Sequence, residues 1–321
     1  MRLVADRQPP PPLARRKEGI LRTQRLLLSR GVTSVGAAVN RGFTDDLRAY
    51  LQLHQERRLK LRVNQFLSWE LLEAATGLGI RHGFGDGLVR AGPIKVFIDG
   101  GASGGAALRD AQPTWRTPPD ELRALVRSAD TAGLQVAAHA VGDAAIAAML
   151  DAVEASAQRV AGARHRVEHC TFCPPDLQRR IADLGVMAVM QPMLVTRRRW
   201  MEERLGAAAG SVAPHGSLHR AGVRLAFSSD LPVVEDPNPW PAIDAVVADG
   251  SERLSLFSAL TAYMAGGAYA SFEERVKGTL EVGRLADFQV YAGDPLQGPR
   301  TKRNRPALVA LGGLPVYRRG F

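Results

Sequence analysis

Residues 135–158 read QVAAHAVGDAAIAAMLDAVEASAQ. The first six form an apolar run of strand length, and from Asp143 onward apolar residues recur at helical spacing up to residue 158. The same strand-then-helix unit recurs along the chain. Short apolar, β-branched runs stand at 32–37, 61–67, 94–98, 165–170, 186–191 and 223–228, which with 135–140 makes seven. Amphipathic stretches separate most of them, among them 120–132 and Pro175–Leu184. Another, 14–30, follows a proline run at positions 9 to 12 and stops at Gly31. Such alternation predicts a parallel sheet with crossover helices.

Two closures fit seven strands: a doubly wound sheet, and an eight-stranded barrel with one strand missing. Polar residues favour the barrel. Lys95, His139, His169, Gln191 and Asp230 lie inside or at the C-terminal ends of five successive strands. In a barrel those positions converge on one mouth, whereas an open sheet would spread several of them apart. After residue 270 the pattern changes: VKGTLEVGRLADFQVYAGDPL (276–296) and ALVALGGLPVYRRGF (307–321) read as short strands with glycine turns. The expected division is a barrel over residues 1–272 and a β segment over 273–321.

The 321 residues are 45% hydrophobic and 23% charged, enough for one large core or two modest ones. The net charge of +10 is the excess of 37 arginines and five lysines over 32 acids, with the basic residues scattered along the chain and short clusters such as 197–199 and 301–303. With no basic stripe interleaved with aromatics, a nucleic-acid partner is not expected. Two cysteines, Cys170 and Cys173, make no disulfide framework, so a reducing cytoplasm is expected. Packing explains this pair better than half a zinc clip. The first residues hold no apolar signal segment and no run of about 18 apolar residues follows, so neither export nor a membrane span is expected.

The stretch PIKVFIDG (93–100) places an ammonium inside an apolar strand, in a chain with few lysines. Lys95 either snorkels to the surface or is held inside for chemistry. Burial lowers a lysine pKa, and a neutral amine can capture CO2 as a carbamate, an oxygen donor like a lengthened glutamate. His139 in VAAHAVGD, His169 in RVEHC and Asp230 in AFSSD supply imidazole and carboxylate, which Zn2+ and related ions take as ligands. The glycine-rich GGASGG (100–105) suits a mobile loop at the site better than a phosphate cradle, because no fingerprint spacing leads into a helix.

The segments PIKVFIDGG, VAAHAVGDAAI, RHRVEHC, VMAVMQP, FSSDLPVVEDPNPW and AYASFEERVKGTLEVGRLADFQVYAGDPL resemble the metal-dependent amidohydrolases. The likeness is to the family 3 branch that includes N-substituted formamide deformylases, and it runs in order from about residue 21 to the C-terminus. It implies an α/β fold, a (β/α)8 TIM-type barrel lacking its first strand, with the C-terminal part of a small β-sandwich subdomain. It implies that Lys95 is a carboxylated, metal-bridging lysine, that His139 and His169 are metal ligands, and that Asp230 touches the metal and serves as general base and then acid. The reaction implied is hydrolysis of an amide-type carbon–nitrogen bond in a small-molecule substrate through a metal-activated water. The cofactor implied is a divalent metal, Zn2+, as one or two ions. His82 and Gln191 are candidate substrate-binding residues, with His82 and the arginines at 197–199 on loops above the mouth. His165, four residues before His169, reads as structural.

Family members carry a His-x-His pair on the first barrel strand. Here the histidines are 54, 82, 139, 165, 169, 215 and 219, with no such pair. The expectation is therefore an N-terminally truncated chain that holds at most one ion, weakly, with impaired activity. The alternative is a non-catalytic remnant or split-protein half that binds a partner or itself through open sheet edges.

Overall fold

All seven apolar runs pair as parallel strands in one sheet whose spatial order is the chain order. They are β1 (Ser34–Ala37), β2 (Arg62–Ser68), β3 (Val89–Phe97), β4 (Val136–Ala140), β5 (Arg166–His169), β6 (Met187–Met190) and β7 (Leu225–Phe227). The computed structural model describes residues 11–38, 45–156, 162–206, 212–297 and 304–320. Pro9, Pro10, residues 157 and 158 of the helix expected from Asp143 onward, and the 301–303 basic cluster lie outside them. β3 starts at Val89, ahead of the expected residue 94. Gly92 and Pro93 interrupt the apolar run, and the β2–β3 register shifts between Gln65 and Leu67 to accommodate them.

Alternation along each strand decides what is packed where. Ile94 and Val96 of β3, Val136 and Ala138 of β4, Val167 of β5, and Ala188 and Met190 of β6 join one apolar cluster. That cluster also takes Leu122 and Val126 from the helix Pro119–Thr131, Ile146 and Leu150 from Asp143–Glu154, and Leu177 and Ile181 from Pro175–Leu184. Full burial of each such side chain stabilises by about 1.5–3 kcal/mol, so this helix-facing layer holds the sheet. The helix Pro175–Leu184 shows how local signals set its limits: Pro175 opens it and Gly185, at φ +65°, closes it in the left-handed conformation. Residues on the opposite face of the strands pack apart from that layer. Met187, Val189, Ala226 and Ala270 form a separate small cluster.

Among the described residues β1 and β7 do not pair with each other. Their seam is bridged by side chains. Arg30 Nε donates to Asp236 Oδ1 at 2.6 Å, and Leu231 packs against the cluster that contains Leu27, Leu28 and Val63. A second, antiparallel sheet is built from β8 (Phe288–Val290), β9 (Leu308–Leu311) and β10 (Leu314–Arg318), in the order β10-β9-β8. Its link to the barrel is part apolar and part ionic: Val309 of β9 packs with Leu27, Val63 and Val89, and Arg62, the first residue of β2, donates to Asp287 through Nε at 2.6 Å and Nη2 at 2.8 Å, with both side chains nearly buried. No helix among the described residues is long and apolar enough to cross a membrane.

Candidate active site

Parallel register lines up residues from successive strands as layers inside the barrel. Ser68, Lys95, Ala137, Arg166 and Met187 align in one row. Phe97, His139, Glu168, Val189 and Ala226 align in the next, towards the strand C-termini. The ionisable groups of both rows therefore approach one another around Lys95 and His139.

Lys95 is 5% exposed, and among the described residues no carboxylate lies within ion-pair distance of its Nζ, which sits 4.8 Å from the centroid of the Phe97 ring. Burial pulls its pKa down to about 8; the charges of Glu168 and Asp230 oppose this and that of Arg166 adds to it. The shift is in the direction that favours the neutral amine. His139 faces the barrel from β4. Its Nε2 lies 3.1 Å from the carbonyl oxygen of Gly100 and 3.6 Å from Asp99 Oδ1, so Nε2–H donates and Nδ1 carries the lone pair. Burial, then the neighbouring His169 and Lys95, hold its pKa well below the ordinary value.

His169 reaches the same place by a different route. Strict alternation puts it on the helix-facing side with Val167. Left-handed φ angles of +74° at His169 and +46° at Cys170 break that alternation at the end of β5. The imidazole ends edge-on to His139, with ring centroids 4.5 Å apart. Its Nδ1 donates to Gln191 Oε1 at 2.8 Å, and Gln191 Nε2 donates to Ser228 Oγ at 3.0 Å. Burial, with help from Lys95, also lowers the His169 pKa. Both imidazoles are thus neutral with one nitrogen tied by a hydrogen bond, the state in which the other nitrogen is a metal donor.

Asp230 lies three residues past β7 with φ +55°. The residue is solvent-exposed, yet its carboxyl is crowded enough that burial raises the pKa, against the pull of His169 and Lys95. Among the described residues no three His, Cys, Asp or Glu side chains are grouped to hold a metal. The residues that could hold an ion here are the two imidazoles, joined by Lys95 only if its amine were converted to a carbamate. Asp230 stands at the rim of that set.

Other candidates fall elsewhere. His82, expected on a loop above the mouth, lies at the opposite end. It stacks on Phe272 with centroids 3.9 Å apart, and its Nδ1 is 3.0 Å from the carbonyl oxygen of Gly133, just before β4. The physical reason is simple: residues 81–88 lead into a strand, and segments that enter strands lie at their N-terminal ends. Gln191 is at the mouth, but both ends of its amide are committed to His169 and Ser228. Arg198 spends its guanidinium on Asp249 and on the carbonyl oxygens of Val212 and Ala213. His165, read as structural, accepts from Val136 N–H at Nδ1 (3.0 Å) and meets Asp130 at Nε2 (2.7 Å). Cys170 and Cys173 are free and fully buried.

Sequence reading did not single out two residues. Glu168, buried in the His139 row, pairs with Arg166 two residues earlier, through Nη2 at 3.3 Å. Asp99, fully buried, accepts backbone N–H bonds from Ala107, Val141 and Gly142. The signal for Glu168 was its even spacing from Arg166 on a strand. For Asp99 it was an acid immediately before GG in an otherwise apolar run.

A family model described as the amidohydrolase family matches residues 2–317. The chain belongs to this family. It is 29% identical over 311 residues to the protein LONG AFTER FAR-RED 3 of Arabidopsis thaliana, an alignment that takes in 86% of this chain and 53% of that protein. It is 28% identical over 230 residues to N-substituted formamide deformylase of Arthrobacter pascens, over 65% of this chain and 42% of the relative. A crystal structure of an uncharacterized metal-dependent hydrolase from Pyrococcus furiosus matches with a TM-score of 0.77 at 30% identity, over 89% of this chain and 61% of that one. The chain spans about half the length of the curated relatives it matches. The resemblance read from the motifs, including that to the formamide deformylases, is borne out, and the curled parallel sheet with outer helices is the fold of these amidohydrolases.

Proposed function

We propose that this chain carries one half of a metal-dependent amidohydrolase centre, built to hydrolyse an amide-type carbon–nitrogen bond of a small molecule. The observation that carries the reading is Lys95, a buried amine without a counter-ion among the described residues, beside two neutral imidazoles that each have one nitrogen already hydrogen-bonded. His139, His169 and carboxylated Lys95 would hold one divalent ion, with zinc favoured by the nitrogen donors. When bound, such an ion supplies Lewis acidity and lowers the pKa of water.

The chain's own residues have separate tasks in this reading. Gln191 fixes the His169 ring through Nδ1 and is itself anchored by Ser228. Asp230, with its raised pKa and solvent-facing position, is placed to take a proton from an attacking water at a carboxylate oxygen and to return it to a leaving amine. Phe97 covers Lys95 and excludes water from the amine. With no His-x-His pair in the sequence, the reading is of weak binding of a single ion and impaired turnover.

Metal analysis of the purified chain after incubation with zinc and bicarbonate tests this. Expected is one ion per chain, dependent on CO2 and lost in Lys95→Ala and His169→Ala. No divalent ion above background, or uptake indifferent to both substitutions, sinks the assignment.

Among the described residues β1 and β7 each leave one edge unpaired, which favours a second reading, association through those edges with a partner or with another copy. Light scattering across a concentration series checks self-association: a strictly monomeric chain removes it.

A further inference from the structure

Asp99 is a fully buried carboxylate that none of the chemistry above uses. Its Oδ2 accepts from Ala107 N–H at 3.0 Å and Gly142 N–H at 2.8 Å, and its Oδ1 accepts from Val141 N–H at 3.1 Å. These donors belong to two segments that rim the mouth, the glycine-rich loop after β3 and the turn after β4. The same Oδ1 lies 3.6 Å from His139 Nε2.

The loop it clamps leaves no room for error. A Cβ on Gly142 would stand 1.9 Å from the carbonyl oxygen of Ala107, and one on Gly100 would stand 2.7 Å from that of Gly104. Gly100 N–H donates to Gly105, folding GGASGG back on itself, and the Gly100 carbonyl oxygen is thereby presented to His139 Nε2. The expected mobile loop is pinned at its base. Both groups that face His139 Nε2, the Gly100 carbonyl and the Asp99 carboxylate, favour a proton on that nitrogen.

We infer that Asp99 is the positioning residue of this mouth: by clamping the β3 loop to the β4 turn and facing His139 Nε2 with a carboxylate oxygen, it fixes the Nε2–H tautomer and presents Nδ1 as the free donor. The metal consequence rests on the function proposed above, whereas the tautomer does not. An orienting partner of this kind typically changes metal affinity 10–100-fold when removed.

Asp99→Asn is the informative change. The amide cannot accept on both sides, so its NH2 opposes either the Ala107 and Gly142 N–H groups or the Val141 N–H and His139 Nε2–H. Long-range proton–nitrogen correlation spectra of the metal-free chain read the His139 tautomer directly. Expected is a single Nε2–H tautomer in the native chain, a mixture or the Nδ1–H form in Asp99→Asn, and zinc affinity lowered 10–100-fold. Asp143→Ala is the control, because it frees the same loop at Arg109 N–H (3.0 Å) without touching Asp99; it should leave the tautomer alone. A native chain with Nδ1–H overturns the inference even if Asp99→Asn does not fold. So does an unchanged tautomer in Asp99→Asn, or an equal shift in Asp143→Ala. A native chain that takes up no zinc overturns the metal reading, and the tautomer then decides the role of Asp99 by itself.

Discussion

The two ends of the barrel treat ionisable groups differently. At the N-terminal end they are paired. Arg62 grips Asp287 with two bonds, Lys277 meets Glu273 at 2.7 Å, the half-buried Arg164 holds Glu274 through two nitrogens, and His165 meets Asp130. At the C-terminal mouth Arg166 and Glu168 also pair, but among the described residues Lys95 beside them has no counter-ion in reach, and two imidazoles touch while both are kept neutral. The first arrangement fastens elements together. The second stores unfavourable desolvation, which a fold tolerates where a ligand is to relieve it.

Breaking the paired end should have the largest effect. Arg62→Ala removes the ion-pair partner of Asp287 and leaves its carboxylate the Gly312 N–H at 2.7 Å, so urea unfolding should show a loss of up to roughly 3–5 kcal/mol. A loss below about 1 kcal/mol would mean the small sheet is held by packing alone. At the mouth the sign reverses. Lys95→Met removes an ammonium that has no carboxylate partner among the described residues and whose pKa is depressed from 10.5 to about 8, so stability at pH 7 should rise by up to about 3 kcal/mol while CO2-dependent metal uptake disappears. Because the native amine loses its proton at lower pH than the unfolded one, this gain should fade as pH climbs from about 8 to 10.5. A destabilised Lys95→Met would show that the amine has a structural partner.

His215 sharpens the contrast with a pH dependence. It is fully buried, no ring nitrogen meets a protein hydrogen-bond partner among the described residues, and burial, with Arg198, lowers its pKa to about 3. Between pH 6.5 and 3 the unfolded chain takes up a proton that the native ring refuses, so the native state loses stability as pH falls. His215→Phe should remove about 2 kcal/mol of that loss at pH 5, read from unfolding at pH 7 and pH 5. Identical pH slopes for the two chains would refute it. The smallest effect is expected for Gln191→Ala: a stability change near 1 kcal/mol, set against a 10–100-fold weaker zinc affinity. Equal affinity would show that His169 needs no orienting partner.

Some of the site was visible before any fold was known. Lys95 in a lysine-poor chain, and histidines at matching strand positions, follow from local pattern, since alternation and strand order converge on one mouth. His82 was misplaced because its chemistry drew attention when its position, on a segment entering a strand, should have decided. The role of Asp99 is not legible in sequence, because its donors, Ala107, Val141 and Gly142, are scattered along the chain and meet only when two loops fold together.

The amino-acid sequence alone determined the seven strands, the helices between them, the parallel order and the family, because each rests on hydrophobic period, on caps and breakers, or on short motifs. Tertiary structure alone decided two further things. His169 turns into the mouth through two left-handed residues, and Asp99 holds the rim. A local backbone twist and a carboxylate's choice of donors depend on groups far apart in the chain, and no local pattern encodes them.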